Sequence, residues 1–568
     1  MKKKKLYFII LGSVSVLILV FFVLFFLYKK NLNNKDITIL TINGERSNEN
    51  VIVDANSRQY YVLLYNNKNS NPINYGAYYK IVSDNVNKTA FTAYDISNDK
   101  NKYDSIMGSS NKKVIHLLVE VVNSSNKNIT INFGVKTSDL DITYNDNEYA
   151  IGKEMVNLAN EPNIKDGLIP IYYDEFNGVW KKADQYNNDN NWYNYETKKW
   201  ANAIIVKENL KDKYLKMDVN SVISEDDILG YFVWIPRFSY RLFNNSFDYL
   251  SVQEINVFLE LKSDAKSAGD NNGEWLTHPA FTFGNEELSG IWVGKFETTG
   301  NAANPTVKPN LNPLVNQKVS EQFNSSLKFS SYMNSDLVDS HMAKNTEWGA
   351  ITYFTYSKYG KCIDGVCGDI RNNNVNTLAS GHGVSITGCS SSVQNDDMVI
   401  SNVCSTDKSK PYNDIKDGVL ASTTGSIYGI YDMNGGSWEV TMGVLTNEDG
   451  TGIYTGFDSI YNSGYTGIFD NNEMYEGVNL PDKKYYDAYS YHYKDGSYYI
   501  DLYLGDATGE TKFMNIDFLE FVWFDYPWFM RGGTYFQNEN SGVFAFAGTG
   551  GSEFSNIKTF RTILAYTK

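Results

Sequence analysis

Histidine and cysteine are scarce: the 568 residues hold five histidines and four cysteines. His116, His278, His341, His382 and His492 are too scattered to suggest a metal-binding cluster. His116 lies in the apolar run VIHLLVEV with no second ligand type at strand spacing, and His278 lies in THPAFTFG, which reads as a packed turn. No G-x-S-x-G elbow, H-E-x-x-H helix, P-loop or dinucleotide glycine fingerprint occurs. The commonest hydrolytic and nucleotide-dependent chemistries therefore lack their signatures. Aspartate and glutamate are numerous, but no pair is singled out.

Positive charge is also short. Lys and Arg number 51 against 66 Asp and Glu, a formal net charge of −15. The first 35 residues contain seven lysines and no acidic residue, so the remainder sits near −22. Such a surface repels nucleic acid, whose binding needs basic patches. It also repels anionic wall polymers unless divalent cations bridge the two.

One apolar stretch, Leu6 to Tyr28, is long enough to span a bilayer with some tilt. It ends Phe25-Phe26-Leu27-Tyr28-Lys29-Lys30, without the small-residue site that a cleaved signal peptide needs. Four lysines before it against two after it place the N-terminus in the cytoplasm. Residues 1–35 are thus expected to be a cytoplasmic stub and single-pass membrane anchor, with the rest of the chain an extracellular ectodomain.

The four cysteines, Cys362, Cys367, Cys389 and Cys404, fall in one stretch, an even number that suits two disulfides in an exported protein. Three pairings exist; proximity favours Cys362 with Cys367 and Cys389 with Cys404. A zinc site is disfavoured because the spacing is not C-x2-C and no histidine accompanies it.

What the chain has in abundance is short β-type segments. In residues 36–140, DITILTING, QYYVLLYNN, YGAYYKIVS, VIHLLVEVVN and ITINFGVKT are separated by turn-forming clusters, which predicts an all-β sandwich spacer. Residues 141–225 form a small aromatic-rich β region and linker, with Trp180, Trp192, Tyr193, Tyr195 and Trp200 closely spaced. Those rings read as the core of a compact meander, with sugar stacking as the alternative. No amphipathic helix, heptad run or solenoid repeat stands out.

From residue 226 to 568 six segments stand in a fixed order: YFVWIPRFSY (231–240), IWVGKFETT (291–299), MAKNTEWGAITYFTYSKYG (342–360), YDMNGGSWEVTM (431–442), RGGTYF (531–536) and TFR (559–561). Together they resemble the formylglycine-generating-enzyme (sulfatase-modifying factor) family, a branch of the C-type-lectin-like fold, in a non-catalytic member of bacterial or phage type. The resemblance implies an α+β, C-type-lectin-like C-terminal domain behind the all-β sandwich and the transmembrane helix. In the enzymes R-G-G-S-Y is followed by x-C-x4-C, a cysteine pair that holds copper. Gln537 and Gly542 stand at those positions, so no copper, no catalytic residue and no oxidation are expected. The family's turn also offers carbonyls and a glutamate to calcium, which would map onto Asn434, Gly435, Ser437 and Glu439. A competing reading is that Glu439 accepts backbone N–H bonds and no ion is present. Gly435-Gly436 permits a backbone that a side chain would block, Trp438 buries its ring beneath the turn, and Arg561 lies under it to hold carbonyls or a carboxylate.

Large rings and amides crowd the segment around RGGTYF. Tyr535, Gln537, Asn538, Asn540 and Phe544 are the expected ligand-binding residues for an unknown protein or glycan ligand, in an adhesin or receptor-like protein. In relatives diversified by retroelements this same stretch is the variable ligand surface, which gives a second form of the binding reading. An enzyme of the superfamily with another active site is the remaining alternative.

Overall fold

The computed structural model describes residues 37–567, except 42–49, 67–72, 83–88, 96–107, 139–144, 152–159, 186–190, 243–253, 263–275, 368–383, 394–411, 456–462, 469–479, 510–516 and shorter stretches or single positions. The apolar run Leu6–Tyr28, His382, Cys404 and Asn538 lie outside the described residues. Among those described, no helix is long and apolar enough to cross a membrane. The architecture is mostly β with few helices, and it divides into two compact units: residues 1–161 with 261–265, and residues 162–260 with 266–568.

The first unit is built from alternating strands. One antiparallel sheet runs Ile37–Thr41, Ser57–Asn66, Val114–Asn123, Thr89–Asp95; a second is ordered Asn50–Val53, Ile129–Ser138, Ile73–Ile81, Gly108–Ser110, with Tyr149–Ala150 beside Ile73–Ile81. Leu63 faces Leu117 across the first sheet. Leu63, Leu117, Val119 and Val121 share one core with Val53, Tyr75, Ile129 and Ile131 of the second. Period-two alternation therefore gives each sheet one apolar face, and the two faces bury each other.

In the second unit an antiparallel seven-stranded sheet runs Val179–Lys182, Ile169–Asp174, Asn202–Val206, Ile228–Pro236, Gly290–Gly294, Thr562–Tyr566, Val338–Met342. Residues on both sides of the expected boundary at 225 share this sheet: Asn202 pairs with Val233, in a ladder whose register shifts between Ile205 and Val206. The aromatic segment does form core, as read, but not a core of its own. Trp200 packs on Phe354 at 4.9 Å, and Trp180 donates its indole N–H to the Tyr412 hydroxyl at 3.0 Å. A three-stranded meander has too little interior to bury such rings, so they take partners from the larger unit.

The segment matched to the family helix is a helix, Asn345–Thr355. The Glu347 carboxylate accepts the Lys344 N–H at 2.8 Å, and Asp487 accepts the Thr346 N–H at 2.7 Å, satisfying first-turn donors that the helix cannot pair itself. A second sheet centres on Trp438–Thr446, which pairs in parallel with Lys558–Phe560 and Asp487–Lys494 and antiparallel with Trp528–Arg531. The two ends of the turn region thus enter a common scaffold. Cys362 and Cys367 are disulfide-bonded across a two-residue ladder. Cys389 is also disulfide-bonded.

Candidate ligand site

The turn at 431–439 is a buried electrostatic joint. Gly435 and Gly436 have φ of 131° and 72°, and a Cβ at Gly436 would stand 2.7 Å from the Glu297 carboxylate. That glutamate, from IWVGKFETT, accepts the Ser437 N–H at 2.7 Å. Glycine at 436 is therefore required by both torsion and space. Arg561 reaches under the turn: its Nε donates to Glu439 at 2.8 Å, Nη2 donates to the other Glu439 oxygen and to the Tyr431 carbonyl at 2.8 Å, and Nη1 donates to the Gly294 carbonyl at 2.7 Å. Every atom involved is out of water, so the bidentate pair is strong and costly to break. Burial, with Asp432 and Glu439 nearby, holds the Glu297 pKa well above the ordinary carboxylate range.

Two of the four residues expected to hold calcium have protein partners. Both Glu439 oxygens meet the Arg561 guanidinium, and the Ser437 hydroxyl is 2.8 Å from that of Ser385. A cation here would have to displace a buried guanidinium. Among the described residues no three His, Cys, Asp or Glu side chains converge to hold a metal.

The segment after Arg531 also differs from expectation. Tyr535 and Phe544, expected as ligand anchors, are only 2% and 1% exposed. Gly532 and Gly533 take φ of 85° and 77° and turn the chain back inward, and the Tyr535 N–H bonds the Gly436 carbonyl at 2.9 Å. Phe544 packs on Tyr356 at 5.1 Å. Gln537 is half-buried and its side-chain carbonyl accepts the Thr534 N–H at 2.8 Å; Asn540 is exposed. Arg531 is a buried hub that donates to Asn345 at 2.7 Å and to the carbonyls of Asp506, Ala507 and Ala545. At Gly542 a Cβ would collide with the Asp517 carboxylate, which is itself tied to the Phe544 N–H at 3.0 Å. A cysteine there would require the Asp517 carboxylate to move.

The exposed rings lie elsewhere. YYDAYSYHYKDGSYYI (485–500) forms a hairpin, Asp487–Lys494 with Ser497–Ile500, turned by Asp495-Gly496, both at positive φ as such a turn demands. Tyr493 and Tyr498 are 64% and 60% exposed and 4.7 Å apart. From Tyr498 the rings continue through Tyr491 at 5.1 Å, Tyr454 at a further 4.2 Å and Phe524 at 5.8 Å. Trp523 follows at 5.8 Å and Tyr526 at 6.2 Å, and these two are 45% and 39% exposed. The result is a surface strip of aromatic faces, open at both ends and rooted in the core at Tyr491. Trp523 and Tyr526 belong to the ring-rich segment singled out in the sequence. The hairpin tyrosines were missed there, although alternation around Asp-Gly marks a hairpin whose outward side is aromatic. The chain matches no model of a known protein family and no curated protein.

Proposed function

We propose that the protein is a membrane-anchored, extracellular binding protein whose C-terminal unit is a non-catalytic module of formylglycine-generating-enzyme-like, C-type-lectin-like type. The row of rings from Tyr498 to Tyr526 carries this reading. Tyr498 at one end and Trp523 with Tyr526 at the other stand in water, held by Tyr491, Tyr454 and Phe524 packed between them, and exposed aromatic faces mark binding surfaces. Tyr and Trp offer large contact area at small entropic cost, and their stacking within the strip holds them ready. The ligand is a protein or a glycan. Gln537 and Asn540 remain polar neighbours on the RGGTYF segment, while Tyr535 and Phe544 support it from beneath. Calcium is not part of the proposal, since Arg561 already neutralises Glu439. Copper is left out as well, since Gln537 and Gly542 replace the thiols and Asp517 fills the space beside Gly542.

The test is binding of the purified protein to glycan and protein arrays, alongside Tyr498→Ala and Trp523→Ala variants. A central ring typically costs more than about 2 kcal/mol when truncated, and neither variant should lower the melting temperature by more than a few degrees. Retained binding in both variants would remove the strip from the reading. Conversion of a sulfatase-type cysteine peptide to formylglycine would remove the non-catalytic part.

A further inference from the structure

The hairpin that carries one end of the ring strip is also the outer margin of its sheet. Ser497–Ile500 pairs with Asp487–Lys494 on one side and, among the described residues, with no strand on the other. The two-residue turn Asp495-Gly496 makes Lys494 and Ser497 a hydrogen-bonded pair, and the Asp501 N–H reaches the Ser490 carbonyl at 3.0 Å. Bonded and non-bonded pairs alternate along an antiparallel ladder. Tyr498 and Ile500 therefore turn their N–H and C=O groups away from the hairpin, along the open edge. Proteins commonly blunt such an edge with a charge, a proline or a bulge. The strand SYYI has no charge and no proline, and its register runs one for one.

Side chains on both faces of this edge stand in water. Tyr498, on the ring-strip face, is 60% exposed; Tyr499, on the opposite face, is 49% exposed, and Leu502 beyond it 61%. A small ligand would engage one face. An incoming strand meets the backbone row and both faces together, because its side chains alternate.

We propose that this edge docks the same strand of a second copy, antiparallel, about a two-fold axis through Tyr499. In that register Tyr498 exchanges backbone hydrogen bonds with Ile500 of the second copy, and the reverse. The strand is self-complementary there. On one face a tyrosine ring meets a β-branched side chain, and on the other the two Tyr499 rings meet. Ser497 comes opposite Asp501 of the second copy. Serine is short, so Lys494, beside Ser497 in the hairpin, reaches over it to that carboxylate, once at each end. The pairing stands whatever the ring strip binds.

Sedimentation of the full chain in detergent tests it, up to about 100 μM, the range in which so small an interface associates. The parent should dimerise. Tyr499→Lys and Tyr499→Glu each set like charges opposite at the axis and should weaken association at least tenfold. An equimolar mixture of the two should recover a mixed dimer, which separates lost pairing from misfolding. Tyr499→Cys should form a disulfide between copies under mild oxidation, since facing residues at such a pair lie about 4.5 Å apart at Cα. Trp523→Ala should leave association unchanged. A monomeric parent overturns the proposal, as does a dimer that survives both charged substitutions, or a mixture of the two that stays monomeric.

Discussion

At the scale of single residues, the turn and the residues beneath it act as framework. Glu439→Gln preserves shape but leaves the Arg561 guanidinium buried without its counter-charge. The expected loss is about 3–5 kcal/mol, read as a lower urea midpoint with unchanged slope. Tyr535→Ala should behave as a core truncation, costing about 3–5 kcal/mol and lowering the melting temperature whether or not ligand is present. A variant that melts normally but loses ligand would return Tyr535 to the binding face. The residue-level contrast is instructive. Gly435, Gly436, Trp438 and Arg561 could be read because each answers a local demand, a torsion, a ring to bury or a charge to pair. Tyr535 and Phe544 could not, because rings beside amides have the same composition in a core as on a surface; only the inward turn at Gly532-Gly533 decides between the two.

At the scale of elements, the strand Val338–Met342 and the helix Asn345–Thr355 are joined by one imidazole. His341 is fully buried, with Nε2 3.0 Å from Glu347 and Nδ1 3.0 Å from Asp339, and it stacks on Phe283 at 4.7 Å. Burial lowers its affinity for a proton, but the two carboxylates outweigh burial and raise its pKa to about 9. Asp339 is in turn held by Lys484 and Tyr485, and Glu347 by the Lys344 N–H. A raised folded pKa means that the stabilisation is fully present below the unfolded value near 6.5 and fades as pH rises through about 9. Its ceiling is on the order of 3 kcal/mol. Denaturant melts from pH 6 to 10 should therefore show falling stability across that window, and His341→Gln should flatten the slope. A parent whose stability is level from pH 6 to 10 would mean that the imidazole stays neutral. The helix was legible here from Glu347 and Trp348 in their motif; the strand Val338–Met342 was not read. The partnership was not, since Asp339 and His341 carry no spacing signal of their own.

At the scale of the whole molecule, the sequence suggested a boundary near residue 225, and the structure moves it to about 161. The boundary at 225 rests on where the family-like segments begin, and the ladder that joins Asn202 to Val233 across it leaves no such mark in the sequence. All ten tryptophans lie at residue 180 or later, so tryptophan emission reports the second unit alone. Ending the chain after Phe560 removes the Arg561 anchor and the strand Thr562–Tyr566, which sits between Gly290–Gly294 and Val338–Met342. That truncation should give red-shifted tryptophan emission and no cooperative melt by that probe, whereas a native-like spectrum would show the strand to be dispensable.

The same strand bears on the order of events during folding. Residues 562–566 pair with partners made some 270 residues earlier, Trp292 with Leu564 and Val293 with Ile563. Until they emerge from the ribosome, Gly290–Gly294 exposes an edge of unpaired N–H and C=O groups and Val338–Met342 has no sheet to join, a template for pairing with other chains. Closing so long a loop is slow compared with forming local hairpins, so the unit spends its early life with that edge of the sheet open. A chaperone or the export machinery that masks that edge until translation has passed residue 566 would act at the step where this protein is most exposed to aggregation.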